Sequence, residues 1–320
     1  MAARSLALFA LAGSDEYAGR LAARLATPLS PLEERSFEDG EHKVRPLVAV
    51  EGSDAYVVHA LYGDRAQSVN DKLCRLLFLI GTLKDHGAAR VTAVVPYLSY
   101  ARKDRRTQPF DPVTSRYVAA LFEAVGADQI VALEVHNVAA FENAFSCRSR
   151  HLDTAELLAD HFAPLARKES VAVVSPDAGG VKRAEQFRRA LERKSERPVD
   201  NAFVEKYREG GVVSGGALVG TVKGRTAILI DDLISTGNTL LRAARAVRSA
   251  GAERVFAAAT HGLFTGGAAE LLASEDLDGL VIADTVPLAA SIPARARARV
   301  AVLDSTGLVA NAISKMREEE

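Results

Sequence analysis

The chain has 320 residues, more than one hydrophobic core usually holds, so we expect two domains of about 150 residues each. Forty lysines and arginines face 41 aspartates and glutamates, and the formal net charge of −1 gives no support to general binding of nucleic acid or anionic membranes. A hydrophobic fraction of 48% with 25% charged residues is typical of a globular protein and argues against a disordered one.

Signals of cellular compartment are few. The two cysteines, Cys74 and Cys147, cannot build a disulfide framework or a four-cysteine zinc site, so they predict a reducing, cytoplasmic location. The apolar run from Leu6 to Ala12 superficially resembles a short signal peptide, but we interpret it as a buried first strand. No apolar run reaches the roughly 18 residues of a membrane-spanning helix, so no membrane contact is predicted.

A repeated phrase marks the steps of the predicted fold: a helical stretch, then Gly-Ala, two residues and an apolar, β-rich run. It begins at Gly87, Gly126 and Gly251. Glycine suits the left-handed residue that ends a helix, and strands that are apolar on both faces are typical of a parallel sheet covered by helices. Each phrase therefore predicts one helix–strand step of an open α/β sheet.

Further strands and helices occur on both sides of about residue 150, which predicts an α/β protein with two similar halves. We expect a first domain over 1–150, a second over 151–300, and a C-terminal segment, 301–320, that packs back on the first. The Gly-rich insert at 205–216 is predicted to be a mobile loop or an open hairpin. Strands are predicted at 55–61, 92–97, 131–136, 171–177, 226–232, 256–261 and 279–285, and helices at 69–84, 115–124, 180–193 and 239–250.

The strongest functional signal is IDDLISTGNTL, residues 230–240, because ligands of open α/β sheets bind where strands end. A strand delivers Asp231 and Asp232 to a loop of small residues that leads into a helix. The N–H groups and hydroxyls of such a loop predict a phosphate cradle, and the paired carboxylates suit sugar hydroxyls. Helix capping alone would not require two adjacent carboxylates. The loop residues are Ser235, Thr236, Gly237, Asn238 and Thr239.

This motif resembles the sugar-phosphate site shared by phosphoribosyltransferases and ribose-phosphate pyrophosphokinases. Four more segments are similar to signature segments of ribose-phosphate pyrophosphokinase, in that family's order and over nearly the whole chain. They are FEDGE (37–41), VVPYLSYARKDRR (94–106), VVSPDAGGVKRA (173–184) and THGLFTG (260–266).

The resemblance implies two phosphoribosyltransferase-type domains with open, mainly parallel sheets, the first with ATP segments and the second with the ribose 5-phosphate loop. It implies transfer of the β,γ-pyrophosphoryl group of Mg-ATP to the C1 hydroxyl of ribose 5-phosphate, which gives phosphoribosyl pyrophosphate (PRPP) and AMP. FEDGE would reach a neighbouring subunit's ATP site, which implies a homo-oligomer. The implied ATP contacts are Phe37, Asp39 and Glu41, then Arg102, Lys103 and Asp104, and finally His136.

The resemblance also implies a magnesium site and a catalytic loop. His136 and Asp177 match metal-associated positions, although Glu134 replaces the aspartate that usually precedes this histidine. A carboxylate at Asp177 suits an oxygen-seeking cation such as Mg²⁺. Lys206 and Arg208 match a catalytic Lys-x-Arg loop, where two cations would neutralise charge during phosphoryl transfer.

Two alternative functions remain open on the sequence. A phosphoribosyltransferase that consumes PRPP would share the 230–240 motif but would not explain the ATP segments. A catalytically silent regulatory relative is kept open by the departures at Glu134 and Asn238. The sequence has no GxxxxGK[ST] loop and no GxGxxG after a strand, which argues against a Walker-type ATP site and a dinucleotide enzyme.

Overall fold

The computed structural model describes residues 4–209, 212–266, 268–289 and 292–319, with the side chains of 206–216 outside that description. The chain divides into two compact units, Met1–Leu152 together with Thr306–Glu320, and Asp153–Ser305. Each unit has a parallel or mainly parallel sheet flanked by helices, which confirms the predicted fold class. In the described part of the chain, no helix is long and apolar enough to cross a membrane.

The first unit has a five-stranded sheet in the order β1-β4-β5-β6-β7, in which all neighbouring strands are parallel. Strands β2 and β3 form a separate antiparallel hairpin. The elements are β1 (Leu6–Ala10), α1 (Asp15–Arg24), β2 (Leu32–Ser36), β3 (His42–Pro46), β4 (Asp54–Val58), α2 (Val69–Asp85), β5 (Arg90–Val95), α3 (Thr114–Ala124), β6 (Gln129–Leu133), α4 (Val138–Ala144), β7 (Arg148–Leu152) and α10 (Thr306–Glu318).

Helices cover both faces of this sheet, as alternate residues of β4 show. Ala55 and Val57 belong to the apolar cluster that includes α2 and α3, whereas Tyr56 and Val58 belong to the cluster that includes α1 and α10. All five residues of β4 are buried, including Asp54. A charged side chain within such a strand therefore needs a partner.

The second unit has a seven-stranded sheet in the order β10-β9-β8-β11-β12-β13-β14, parallel except for the β9–β10 pair. The elements are α5 (Ala155–Ala166), β8 (Val171–Ser175), α6 (Val181–Ser195), β9 (Asp200–Glu209), β10 (Val212–Gly220), β11 (Thr226–Ile234), α7 (Asn238–Ser249), β12 (Arg254–Gly262), α8 (Ala268–Ala273), β13 (Gly279–Ala283), α9 (Ala294–Arg297) and β14 (Val300–Leu303).

Strand β11 lies at the centre of the second unit and is apolar along most of its length. Ile228 and Ile230 belong to the cluster that includes α5 and α6, while Ala227 and Leu229 belong to the cluster that includes α7 and α8. Helices thus cover both faces of β11, as the apolar pattern of its sequence predicts.

The repeated Gly-Ala phrase ends three helices in the predicted way. Gly87, Gly126 and Gly251 follow α2, α3 and α7, and their φ angles are +80°, +89° and +92°. A side chain would strain this backbone conformation, so glycine is the residue that lets each helix stop and the next strand begin. The strands that follow are β5, β6 and β12.

Two segments differ from, or add to, the sequence prediction. His136 was predicted to end a strand, but β6 ends at Leu133 because Glu134 adopts a φ of +37° and turns the chain. The insert at 205–216 takes the hairpin alternative: it belongs to β9 and β10, which pair antiparallel, with Gly210 and Gly211 outside the described residues.

A buried ion pair joins β4 and β5 and provides a test of this packing. Arg90 donates from Nε to Asp54 Oδ1 at 2.7 Å and from Nη2 to Asp54 Oδ2 at 2.5 Å, with only 8% and 2% of the two side chains exposed. Arg90→Met should lower the free energy of unfolding by about 3 kcal/mol, because it leaves a buried carboxylate without its main partner.

Urea unfolding followed by circular dichroism measures this loss. The control is Arg20→Met, which removes an exposed i,i+4 pair with Glu16 and should cost less than about 0.5 kcal/mol. Equal losses in the two variants would show that burial adds nothing to the importance of the Arg90 pair.

Candidate active site

The second unit places the two predicted carboxylates at the carboxyl end of β11. Asp231 lies opposite Ala259 of β12, is partly exposed, and accepts a 2.9 Å hydrogen bond at Oδ1 from the Asp232 amide. Asp232 is only 4% exposed. The apolar strand thus carries two adjacent acids near its carboxyl end, just before Leu233 and Ile234, and one of the acids is almost fully enclosed.

The charge state of this pair depends on its surroundings. Burial raises the pKa of Asp231, and the neighbouring Asp232 carboxylate raises it further. Arg183, on α6, acts in the opposite direction: its Nη1 lies 3.9 Å from Asp232 Oδ1, and it lowers the pKa of Asp231. Sequence reasoning recognised the VKRA segment but did not assign Arg183, because the linear sequence does not place α6 beside β11.

The loop after β11 has the geometry of an anion cradle. Gly237 adopts a φ of +79° and caps the N-terminus of α7, where unpaired N–H groups and the helix dipole favour negative charge. A Cβ at this position would lie 2.7 Å from Leu271 Cδ2, so the close turn requires glycine. Thr236 and Asn238 are exposed, and Ser235 and Thr239 are partly exposed. Solvent, and therefore a phosphate, can reach the loop.

The predicted THGLFTG segment supports this loop from β12. Ser235 Oγ and Thr265 Oγ1 are 2.8 Å apart, and the Thr265 amide donates to the Ser235 carbonyl at 3.0 Å. The Phe264 amide donates to the carbonyl of Ile234 at 3.1 Å. The structure therefore brings together two segments that are about 30 residues apart in the chain.

Asp177 lies in the turn after β8, at the same edge of the sheet, since β8 and β11 are parallel neighbours. Its Oδ1 accepts hydrogen bonds from the amides of Gly179 (3.0 Å) and Gly180 (3.2 Å). A Cβ at Gly180 would lie 2.8 Å from Ser175 Oγ, which explains a glycine there. In the described residues, no three His, Cys, Asp or Glu side chains group closely enough to hold a metal by themselves.

The predicted catalytic pair lies on the β9–β10 hairpin. In the backbone register, Lys206 is opposite Gly216 and Arg208 is opposite Val213. Both side chains fall outside the described part of the structure, so their role stays a prediction. Tyr207 alone separates the two residues in the sequence.

In the first unit, one hydrogen bond joins the loops that follow β5 and β6. Asn137 Nδ2 donates to Asp104 Oδ2 at 2.7 Å, and its neighbour His136 is exposed. The Lys103 ammonium lies 2.5 Å from Asp111 Oδ2, and this ion pair holds the pKa of Asp111 well below its usual range. Arg102 is exposed. Thus the loops that carry Asp104 and His136 are joined, while Lys103 stabilises its own loop.

The FEDGE segment forms the turn of the β2–β3 hairpin, which sequence reasoning recognised only as turn-rich. The Phe37 amide donates to the Glu41 carbonyl at 2.8 Å, and the Glu41 amide donates to Asp39 Oδ1 at 3.0 Å. Phe37, predicted to be exposed, is half-buried because the Arg35 guanidinium lies over its ring at 4.8 Å. One ring face therefore already has a cationic partner.

Comparison with family models covers both units. Residues 6–126 match the N-terminal domain of ribose phosphate pyrophosphokinase. Residues 168–320 match the phosphoribosyl synthetase-associated domain. The two matches together span most of the chain.

Similar proteins extend over the full length. A ribose-phosphate pyrophosphokinase of Pasteurella multocida is 35% identical over 315 residues, which covers 98% of this chain and 96% of the relative. One from Haemophilus ducreyi is 36% identical over 317 residues, with the same coverage. The crystal structure of phosphoribosylpyrophosphate synthetase from Mycobacterium smegmatis superposes with a TM-score of 0.89 at 32% identity and covers 99% of this chain and 100% of that one.

Proposed function

Because the chain belongs to the ribose-phosphate pyrophosphokinase family, we propose that its two carboxylates and its phosphate cradle bind ribose 5-phosphate for pyrophosphoryl transfer from ATP. The family makes the chain a ribose-phosphate diphosphokinase by class. The observation that carries the substrate assignment is the Asp231–Asp232 pair near the end of β11, followed by the loop that leads to the accessible N-terminus of α7.

Both ends of ribose 5-phosphate, the phosphate and the sugar hydroxyls, fit this arrangement. The amides and hydroxyls of Thr236, Gly237 and Thr239 hold the 5-phosphate, with Ser235 and Asn238 assisting, because the helix N-terminus favours an anion. Asp231 and Asp232 accept hydrogen bonds from the ribose hydroxyls. Carboxylates suit this task because they are strong acceptors that orient a polyol without reacting with it.

The nucleotide is assigned to the first unit. Arg102 and Lys103 would contact the triphosphate or the adenine, next to Asp104 and His136, whose loops are joined by the Asn137 hydrogen bond. Phe37, Asp39 and Glu41 would complete the ATP site of a neighbouring subunit. The free face of Phe37 would stack on the purine while Arg35 covers the other face.

Magnesium fits the chemistry of Asp177, while His136, in the other unit, is assigned to the metal by the family resemblance alone. Mg²⁺ in phosphoryl-transfer enzymes commonly takes one or two protein carboxylates and completes its shell with water and substrate phosphates. A single carboxylate whose position is fixed by two amides, as at Asp177, meets that requirement. The ion would supply positive charge that neutralises the phosphate oxygens of ATP.

The chemical step needs positioning and electrostatics but no covalent enzyme intermediate. The C1 hydroxyl oxygen of ribose 5-phosphate forms a bond to the β-phosphorus of ATP and releases its proton to solvent. The bond between that phosphorus and the α,β-bridging oxygen breaks, and AMP leaves with the electron pair. Lys206 and Arg208 are assigned to stabilise the negative charge of the phosphoryl oxygens during this transfer.

A cytoplasmic location agrees with the state of the two cysteines. Cys74 and Cys147 are both free thiols. An oxidising compartment favours disulfides, so two unpaired thiols fit a reducing one.

The purified protein should convert ATP to AMP in the presence of Mg²⁺ and ribose 5-phosphate, with one PRPP formed for each AMP. Phosphorus NMR and nucleotide chromatography identify both products. Omission of ribose 5-phosphate or chelation of Mg²⁺ should stop the reaction. Formation of ADP would indicate γ-phosphoryl transfer and refute the assignment, and absence of turnover would favour the regulatory relative.

Lys206→Ala and Arg208→Ala should each lower kcat by about 10²- to 10⁵-fold, because one cation that acts mainly in the transition state is lost. Melting temperatures should change little, since surface substitutions usually shift stability by no more than about 0.5 kcal/mol. Lys168→Ala, at an exposed lysine of the same unit, is the control and should keep full activity. Near-normal turnover of both hairpin variants would remove the hairpin from the mechanism.

The active form should be a homo-oligomer in which the β2–β3 hairpin of one subunit serves its neighbour. Phe37→Ala subunits and Lys206→Ala subunits should each be nearly inactive, but co-refolded mixtures should recover activity, because mixed pairs contain one intact site. Light scattering gives the size of each assembly. A monomer with full specific activity, or mixtures that stay inactive, would contradict this arrangement.

A further inference from the structure

Two adjacent carboxylates offer all of their oxygens as acceptors to sugar hydroxyls only when both are ionised. The pair at the end of β11 is poorly placed for this, because Asp232 is almost fully buried and Asp231 is its direct neighbour. Burial and like charge both favour the protonated form of one member. A protonated carboxyl loses an acceptor site and adds a donor, which changes what the pair can bind.

Arg183 is the cation that the fold brings to this pair. It lies in the first turn of α6, whose buried residues Ala184 and Phe187 pack in the same apolar cluster as Ile228 and Ile230 of β11. Its guanidinium Nη1 lies 3.9 Å from Asp232 Oδ1, and 16% of the arginine side chain and 5% of the aspartate side chain are exposed. Limited exposure means that solvent screens this pair less than it would a surface pair.

Two nearby positions in the described part of the structure supply no positive charge. From β12, the residue opposite Asp231 is Ala259, which is apolar. From β8, the nearest charged residue along the chain is Asp177, an acid whose Oδ1 is engaged by two backbone amides. Among the charged groups that act on Asp231, its neighbour Asp232 disfavours ionisation and Arg183 favours it.

We propose that Arg183 is a positioning residue that keeps Asp231 and Asp232 ionised together, so that both accept hydrogen bonds from the hydroxyls of the bound sugar phosphate. The inference rests on the proposed function, since it concerns the same ribose 5-phosphate site. It adds a residue that the sequence motif did not assign. Arg183 acts through the two aspartates and is not required to touch the sugar.

This role predicts a pH dependence with a definite sign. The bound form needs both carboxylates ionised, so affinity for ribose 5-phosphate should rise as pH rises through the pKa of Asp231 and then level off. Removal of the Arg183 charge should raise that pKa, and the rise in affinity should move to higher pH. At neutral pH the loss should be about tenfold for each pH unit of displacement, and it should disappear at alkaline pH.

The test is calorimetric titration of the full-length protein with ribose 5-phosphate at a series of pH values. Arg183→Gln removes the charge and keeps a polar side chain, and Arg183→Lys keeps the charge on a shorter, more hydrated group. Lys182→Gln removes the adjacent, exposed cation and is the control. Titration of the ligand's own phosphate is the same for every variant, so differences between the variants report on the protein.

The expected result is a displaced profile for Arg183→Gln, a smaller displacement for Arg183→Lys and none for Lys182→Gln, with ATP affinity unchanged throughout. An unmoved profile, or a loss of affinity equal at every pH, would overturn the proposal, because the latter is the signature of a merely structural role. If Arg183→Gln does not fold, Arg183→Met removes the same charge from a side chain of similar reach, and the same two outcomes decide the matter there. A wild-type protein that binds no ribose 5-phosphate would instead overturn the proposed function, and this inference with it.

Discussion

A strand that helices cover on both faces has no place along its length for an unpaired charge. This constraint limits the positions at which the protein can place polar functional residues. β11 is buried through Ile230 and becomes acidic only at Asp231. Where a charge does enter a buried strand, as at Asp54 of β4, the neighbouring strand supplies Arg90 as a bidentate partner. Polar functional side chains therefore lie at the carboxyl ends of the strands, and the parallel register brings those ends to one edge of each sheet.

At this edge of the second unit's sheet, the negative charges of the two carboxylates are matched by a nearby cation and by hydrogen-bond donors. The Asp231–Asp232 pair alone would be unfavourable, because two carboxylates near one another in a partly dry site resist ionisation. Arg183 from α6 offsets part of this cost, and the N-terminus of α7 provides donors for an anion a few residues further on. A sugar phosphate has the complementary pattern, with hydroxyl donors at one end and a dianionic acceptor at the other.

Both units also carry an antiparallel hairpin outside the purely parallel scheme, and each bears predicted functional residues. The β2–β3 hairpin holds FEDGE at its turn and is fastened to α2 through Arg75, which donates to Ser36 Oγ at 2.9 Å, and through His42, stacked on Phe78. The β9–β10 hairpin holds Lys206 and Arg208. A hairpin can extend beyond the sheet because antiparallel strands tolerate solvent on one face. Residues predicted to reach a neighbour or to close over phosphates therefore lie on hairpins, and those predicted to form a fixed cradle follow parallel strands.

The sequence alone determined the parts of this protein that depend on local chemistry. Apolar runs and the Gly-Ala phrase located β5, β6, β11 and β12. Strand burial and a left-handed glycine can each be recognised from a few consecutive residues. The residues of the DDLISTGNT loop stood out in the same way, since a helix N-terminus preceded by two acids is a contiguous feature.

What only the tertiary structure decided depends on contacts between distant segments. The contact of Arg183 with Asp232, the support of Ser235 by Thr265 and the cover of Phe37 by Arg35 depend on how helices and strands pack, and no short pattern encodes them. The early end of β6 is of the same kind, because a buried Glu134 is held at a φ of +37° by its surroundings and not by its own preference. Local patterns specify a residue's type and its element, whereas the charge state and orientation of a side chain depend on what the rest of the fold brings next to it.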